Sequence, residues 1–148
     1  MDDIDSRILD HLQVNGRLTM TELGKLVNLT TPAVTERVRK LEERGVIEAY
    51  RAIVNPRKLG QGIVAFINVS TVNGRNSSFA EFAKSKPEII ECHRVTGESC
   101  YSVKVVVPDT EALEELIDSI MAYGKTRTAI VLSCPVDFKP VPRNLVEI

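Results

Sequence analysis

Seven basic residues fall between Val34 and Lys58 (Arg37, Arg39, Lys40, Arg44, Arg51, Arg57, Lys58), against four acidic ones (Glu36, Glu42, Glu43, Glu48). Side chains of this kind can neutralise phosphates, and an arginine presents a two-pronged donor to guanine. The same run would serve equally as a solvated helix face. The whole chain has 148 residues with 19 Lys plus Arg and 20 Asp plus Glu, net −1. That balance excludes a broad electrostatic grip on nucleic acid and leaves a local one open. Residues 1–60 hold ten basic and nine acidic residues, whereas residues 61–148 hold nine and eleven.

Cys92, His93 and Cys100 are the other residues whose types could do chemistry. Thiolate and imidazole suit zinc, and a thiol beside an imidazole suits nucleophilic attack. On a strand, however, Cys92 and His93 point to opposite faces and do not converge. The chain has no nucleophile elbow, no phosphate-cradling glycine loop and no histidine-rich cluster. An enzyme, a metal site and a cofactor are therefore not expected, with a metal- or thiol-responsive protein kept as the alternative. Three cysteines form no disulfide scaffold and fit a reducing, cytoplasmic setting. Cys134 reads most simply as a small buried hydrophobe. The acidic start Met1-Asp2-Asp3-Ile4-Asp5 is not the basic opening of a secretory signal. No apolar run approaches the roughly 20 residues of a membrane span.

Three short helices would position the basic run. Ile4, Ile8, Leu9 and Leu12 recur at helical spacing over Asp3 to Val14, with Asp2, Asp3 and Asp5 in a first turn that favours negative charge. Asn15-Gly16 should end that helix, because both residues tolerate positive φ. A second helix covers about Met20 to Val27. Thr19 and Glu22 form its capping box, Met20, Leu23, Leu26 and Val27 face the core, and Asn28 stops it. A third covers about Thr31 to Arg44, capped by Thr30 or Thr31 with Pro32 in its first turn. Its apolar stripe is Val34, Val38 and Leu41, and Gly45 should cap its end. Two or three residues between the second and third helices suit a near-perpendicular helix-turn-helix, spanning about residues 20–39. The third helix can then enter a major groove. Its candidate reading side is Thr31, Pro32, Ala33, Thr35, Glu36, Arg37, Arg39 and Lys40. Small side chains would let the backbone approach, and Arg39 and Lys40 would reach bases or phosphates. Glu36 would either accept from a cytosine amino group or simply pair with Lys40 four residues on.

Val46 to Val54 alternates like a strand and would form a wing or tether. Asn55-Pro56 breaks it and Gly60-Gln61-Gly62 makes a joint. The expected organisation is therefore residues 1–50 as a winged helix-turn-helix, 51–61 as tether and hinge, and 62–148 as a ligand-binding and assembly domain. In that last part the pattern predicts strands over Ile63 to Val72, Ile89 to Thr96, Cys100 to Val107 and Thr126 to Cys134. Asn73-Gly74-Arg75-Asn76-Ser77 reads as a loop. Phe79, Phe82 and Ala83 mark one helix, ended by Lys86-Pro87. Another has the stripe Leu113, Leu116, Ile117, Ile120 and Met121, with Pro108-Asp109-Thr110 stopping the preceding strand and capping it and Gly124 ending it. The order βαββαβ is ferredoxin-like, giving an α+β chain overall. Val64, Phe66, Val103, Val105, Ile130 and Leu132 cannot all face the helices, so the second sheet face needs cover. A half of this size buries limited surface alone, and self-association is the economical cover.

The chain resembles the Lrp/AsnC (feast/famine) family of transcription regulators. The resemblance is carried by Asp5-x-x-Ile8-Leu9, Gly16-Arg17, Glu22-Leu23, Thr35-Glu36-Arg37-Val38, Leu41-Glu42, Gly45-Val46-Ile47, Tyr50-Arg51-Ala52, Asn55-Pro56, Leu59-Gly60 and Val95-Thr96-Gly97. These follow the family's order over nearly the whole chain. The resemblance implies sequence-specific binding to double-stranded DNA, homodimers that assemble further to tetramers or octamers, and a C-terminal domain that takes small effectors such as amino acids. It implies effector contacts from the loop Thr96, Gly97, Glu98, Ser99 and Cys100, and from Thr126 and Thr128 of a neighbouring copy. Where it implies an Asp facing an effector's ammonium, this chain has Cys100, so another ligand or none stays open. An assembly protein without regulatory DNA binding is the remaining alternative class.

Overall fold

The computed structural model describes residues 1–72 and 76–142. The chain divides into two compact units, Met1–Ile53 with the stretch from Val136, and Val54–Pro135.

The first unit is built on three helices: α1 (Asp3–Val14), α2 (Met20–Val27) and α3 (Thr31–Glu43). Each contributes one apolar stripe to a common core: Ile8 and Leu12, Leu23 and Val27, and Val34, Val38 and Leu41. Helices this short are marginal alone in water. Burial of these side chains, at roughly 1.5–3 kcal/mol each, is what holds them. Asp2 caps α1 in a reciprocal box with Asp5, and Thr19 does the same for α2 with Glu22. Thr30 caps α3, and Gly45 follows its end at φ 68°. Asn28 closes α2 at φ 58°, in the left-handed region. The end of α1 differs from expectation: Asn15 is extended at φ −142°, and its amide donates to the His11 carbonyl. Gln13 exchanges hydrogen bonds with the backbone of Val141, which places Val141 beside α1.

Residues 46–54, expected as a strand, form none. A strand exists through its ladder, and among the described residues no segment pairs with this one. Ile47 packs on the helical core while Ile53 is 84% exposed.

The second unit opens with a single 3-10 turn at Pro56–Leu59. It continues β1 (Ile63–Thr71), α4 (Asn76–Ser85), β2 (Ile89–Arg94), β3 (Tyr101–Val107), α5 (Thr110–Met121) and β4 (Gly124–Ile130). The sheet is antiparallel throughout with order β2-β3-β1-β4, the ferredoxin-like arrangement. Of the loop expected over 73–77, residues 73–75 lie outside the described set, and α4 already begins at Asn76. Gly124 does not end α5 but begins β4. A Cβ there would lie 2.2 Å from the Ser70 carbonyl oxygen, so β1 and β4 meet where only glycine fits. β4 stops at Ile130, short of the expected Cys134, which is exposed rather than buried.

Ala65, Ile67 and Val69 of β1 and Tyr101, Val103, Val105 and Val107 of β3 form the core with Phe79, Leu113, Leu116 and Ile120. Val103 and Val105 therefore belong under the helices, whereas Ile130, paired with Ala65 at the sheet edge, faces the same side but stays 47% exposed. Leu132 lies beyond the sheet. The open face carries Val64, Phe66, Asn68 and Ser70 of β1 with Ser102, Lys104 and Val106 of β3, more polar than the sequence suggested.

Candidate nucleic-acid interface and effector loop

Gly24, inside α2, leaves room for the turn at Asn28 that leads into α3. Its carbonyl accepts from the Leu29 amide at 2.8 Å, and a Cβ on Gly24 would lie 2.8 Å from the Leu29 carbonyl oxygen. The resulting turn sets α3 with Thr31, Pro32, Ala33, Thr35, Glu36, Arg39 and Lys40 exposed on its outer side. The Thr31 hydroxyl reaches Thr21 of α2 at 3.4 Å. The Thr35 hydroxyl donates to the Thr31 carbonyl at 2.7 Å.

The cations of this surface are not free. Arg39 donates from Nε to Glu36 at 2.9 Å and from Nη2 to the same carboxylate at 2.6 Å. Its Nη1 pairs with Glu43. Lys40 lies 3.5 Å from Glu36. The expected pair of Glu36 with Lys40 is present, and Arg39 is the closer partner of Glu36. Arg39, followed by Lys40, holds the Glu36 carboxyl down at about 2. Arg37 is half-buried and turned toward α1, 2.7 Å from Asp2 and 2.6 Å from Asp5. Asp5, Ala33, Glu36, Arg37, Lys40, Leu41 and Arg44 line a shallow cleft of about 310 Å³ there. Arg44, left out of the sequence-based site although it belongs to the basic run, is exposed in this cleft without an ion-pair partner among the described residues.

In the second unit, the loop Thr96–Cys100 joins β2 to β3. The Val95 amide donates to the Cys100 carbonyl at 3.0 Å, and the Cys100 amide to the Val69 carbonyl at 2.9 Å. Ser70 donates to the Glu98 carbonyl at 2.9 Å. Gly97 has φ 107°, which an L side chain rarely adopts, and open space where a Cβ would stand. The amides of Thr96, Gly97, Glu98 and Ser99 make no hydrogen bond among the described residues. Successive unspent amides of this kind can take an anionic group. Val69 pairs with Tyr101 on one side and Thr126 on the other, so β4 starts at the same end of the sheet as this loop. Thr126 and Thr128 are half-buried, and Arg127 comes to 4.0 Å from Glu98. Hydrogen bonds from Thr71, with Arg94 nearby, hold the Cys100 thiol below its ordinary range. Cys92 and His93 diverge as expected: Cys92 pairs with Val103 on the covered face, and His93 meets Glu91 at 3.3 Å on the open face.

Comparison with known proteins matches both units. Residues 1–48 match the winged helix-turn-helix DNA-binding family, and residues 64–141 match the Lrp/AsnC ligand binding domain. YezC, an HTH-type transcriptional regulator of Bacillus subtilis, is 50% identical over 133 residues, covering 90% of this chain and 94% of its own. The solved structure of Bacillus subtilis LrpC has a TM-score of 0.88 at 34% identity, covering 94% of this chain and 99% of that one. A transcriptional regulator of Neisseria meningitidis, solved as an L-Met complex, has a TM-score of 0.90 at 29% identity, covering 97% of each chain.

Proposed function

The chain belongs to the Lrp/AsnC family of helix-turn-helix transcription regulators, which are not enzymes, and from that premise we propose that α3 reads a duplex while the second unit pairs copies of the chain and senses a small effector. The reading group is Thr31, Pro32, Ala33, Thr35, Glu36, Arg39 and Lys40, with Arg37 bracing α3 and Arg44 free to meet a phosphate. The observation that carries this is the exposed outer side of α3, rich in small and hydrogen-bonding residues and fixed by the turn that Gly24 leaves room for. Two chains would present two such helices about one duplex turn apart, ~34–36 Å. Larger assemblies, tetramers or octamers, would add affinity through several weak contacts.

The effector site is the loop Thr96, Gly97, Glu98, Ser99 and Cys100 with Thr126 and Thr128. Its open amides favour a carboxylate-bearing ligand, and the L-Met bound to the Neisseria regulator belongs to that class. A ligand held there would shift the assembly and so the spacing of the readers. The test is selection of bound sites from a random duplex pool, repeated with each of the twenty amino acids. A selected operator whose affinity falls ten-fold or more in Arg39→Ala supports the reading. No enriched sequence, or an unaffected Arg39→Ala, overturns it. Gly97→Leu should abolish any effector response while operator binding persists.

A further inference from the structure

Among Thr31–Lys40, each of the three cations is already paired with a carboxylate: Arg37 with Asp2 and Asp5, Arg39 with Glu36 and Glu43, Lys40 with Glu36. A helix that gripped phosphates without regard to sequence would keep these cations free, because such binding comes from cations displacing the counterions of the duplex. Here the carboxylates stand in the place of phosphates. Glu36 engages Arg39 through two parallel bonds, the geometry that fixes both groups in one plane. Both side chains are nonetheless about half exposed, at 48% for Glu36 and 52% for Arg39.

We propose that Glu36, locked to Arg39 and assisted by Glu43, is the specificity-determining residue of α3, discriminating against duplexes that do not set a base amino group beside a guanine. This rests on α3 being the reading helix. Three of the five Arg39 N–H groups are spent on the two glutamates, leaving two to turn outward. A duplex that covers the pair strips water from the Glu36 carboxylate, and a buried carboxylate needs donors of its own. The exocyclic amino group of cytosine or adenine supplies one, and guanine O6 and N7 accept from Arg39. A duplex offering only phosphates meets two carboxylates first and is repelled. Glu36 thus weakens binding to wrong sites and makes the right site worth more by contrast.

The test compares the full chain with Glu36→Gln, Glu43→Gln and the double variant. Gln keeps the size of the side chain on an exposed face, so the fold persists. Each protein is titrated by fluorescence anisotropy against the operator selected by the unaltered chain and against a scrambled duplex of equal length, from 50 to 200 mM salt. The expected result for Glu36→Gln is a several-fold gain on the scrambled duplex and a salt slope steeper by about one, as the freed Arg39 neutralises a further phosphate. The operator-to-scrambled ratio should fall ten-fold or more, with Glu43→Gln intermediate. Reselection with Glu36→Gln should leave one operator base pair degenerate. A slope and ratio equal to those of the unaltered chain overturn the role of Glu36 while leaving α3 as the reader. An unaltered chain that enriches no sequence overturns the reading of α3 and this inference together.

Discussion

The Arg37 guanidinium lies 2.6 Å from Asp5 and 2.7 Å from Asp2, so a side chain of α3 closes on the capping box that starts α1. Asp2 is lowered from 3.8, first by the Asp5 amide and then by Arg37. A carboxyl lowered in the folded state contributes stability above its unfolded value and loses it as pH falls below that value toward the folded one. Thermal melts should therefore hold steady above about pH 5 and drop as pH falls below about 4. Arg37→Ala should cost about 0.5–1 kcal/mol at neutral pH, the size of a partly exposed pair. Its acid drop should be shallower, because only the backbone contribution to Asp2 survives. Equal acid profiles for the two proteins would mean that Arg37 does not brace α1.

Among the described residues, Gly24, Gly62 and Gly124 sit where a neighbouring carbonyl leaves no room. Gly24→Ala gains helix propensity of about 1 kcal/mol but forces the Leu29 backbone aside, and overpacking against backbone costs about 1–3 kcal/mol. A net loss in urea unfolding is expected, along with weaker operator binding, since this turn sets α3. Gly124→Ala is harsher: the added atom would meet the Ser70 carbonyl at 2.2 Å and Thr71 Cα at 2.8 Å. Separation of β1 from β4 at that end should appear as rapid amide exchange along β4. An alanine variant of either site as stable as the unaltered chain would contradict these contacts.

The helices of the first unit were legible because their signals are local. Thr19 with Glu22, Asn28 and Gly45 each act within one turn, and the stripes through Ile8, Leu23 and Val34 need only a period of 3.6. What failed was whatever depends on residues distant in sequence. Val103 and Val105 could not be assigned to a sheet face until their register against Ile67 and Ala65 was known. The stretch 46–54 alternates correctly yet has no ladder, because alternation describes a half-buried strand and does not supply its partner. The positions of α3 were readable, but the commitment of Arg37 to α1 was not, because Asp2 and Asp5 lie 35 and 32 residues away. Leu132 and Cys134 were assigned to a strand on apolar character that ends before them, at Ile130.

The open sheet face gives a prediction for assembly. Phe66 is 42% exposed at its centre, with Val64 beside it on β1 and Val106 on β3. Phe66 points away from the core of Ala65, Ile67 and Val69, so Phe66→Lys should leave the unit folded. If copies pair through this face, the lysine places like charges across the contact beside Lys104 of each copy. Sedimentation at micromolar concentration should then show dimers or larger particles for the unaltered chain and a shift toward monomer for Phe66→Lys. Unchanged sedimentation of the variant would move the pairing surface elsewhere.

Cys100 and Cys92 should differ in reactivity. Thr71 hydrogen bonds, with Arg94 nearby, lower the Cys100 thiol, while partial desolvation raises the Cys92 thiol even though that residue is exposed. The thiolate is the nucleophile, and below the pKa its fraction rises about ten-fold for each unit the pKa falls. Iodoacetamide at pH 7.5 should therefore label Cys100 before Cys92, read by mass spectrometry of the intact chain and its peptides. Thr71→Val removes the hydroxyl and keeps the backbone amide, so labelling of Cys100 should slow without stopping. Labelling of Cys92 first would show that the sulfur at position 100 lacks these donors. Because Cys100 closes the loop that carries Gly97 and Glu98, the alkylated protein should bind its operator as before and lose its response to an effector held there. A response that survives complete alkylation of Cys100 would place the effector away from this loop.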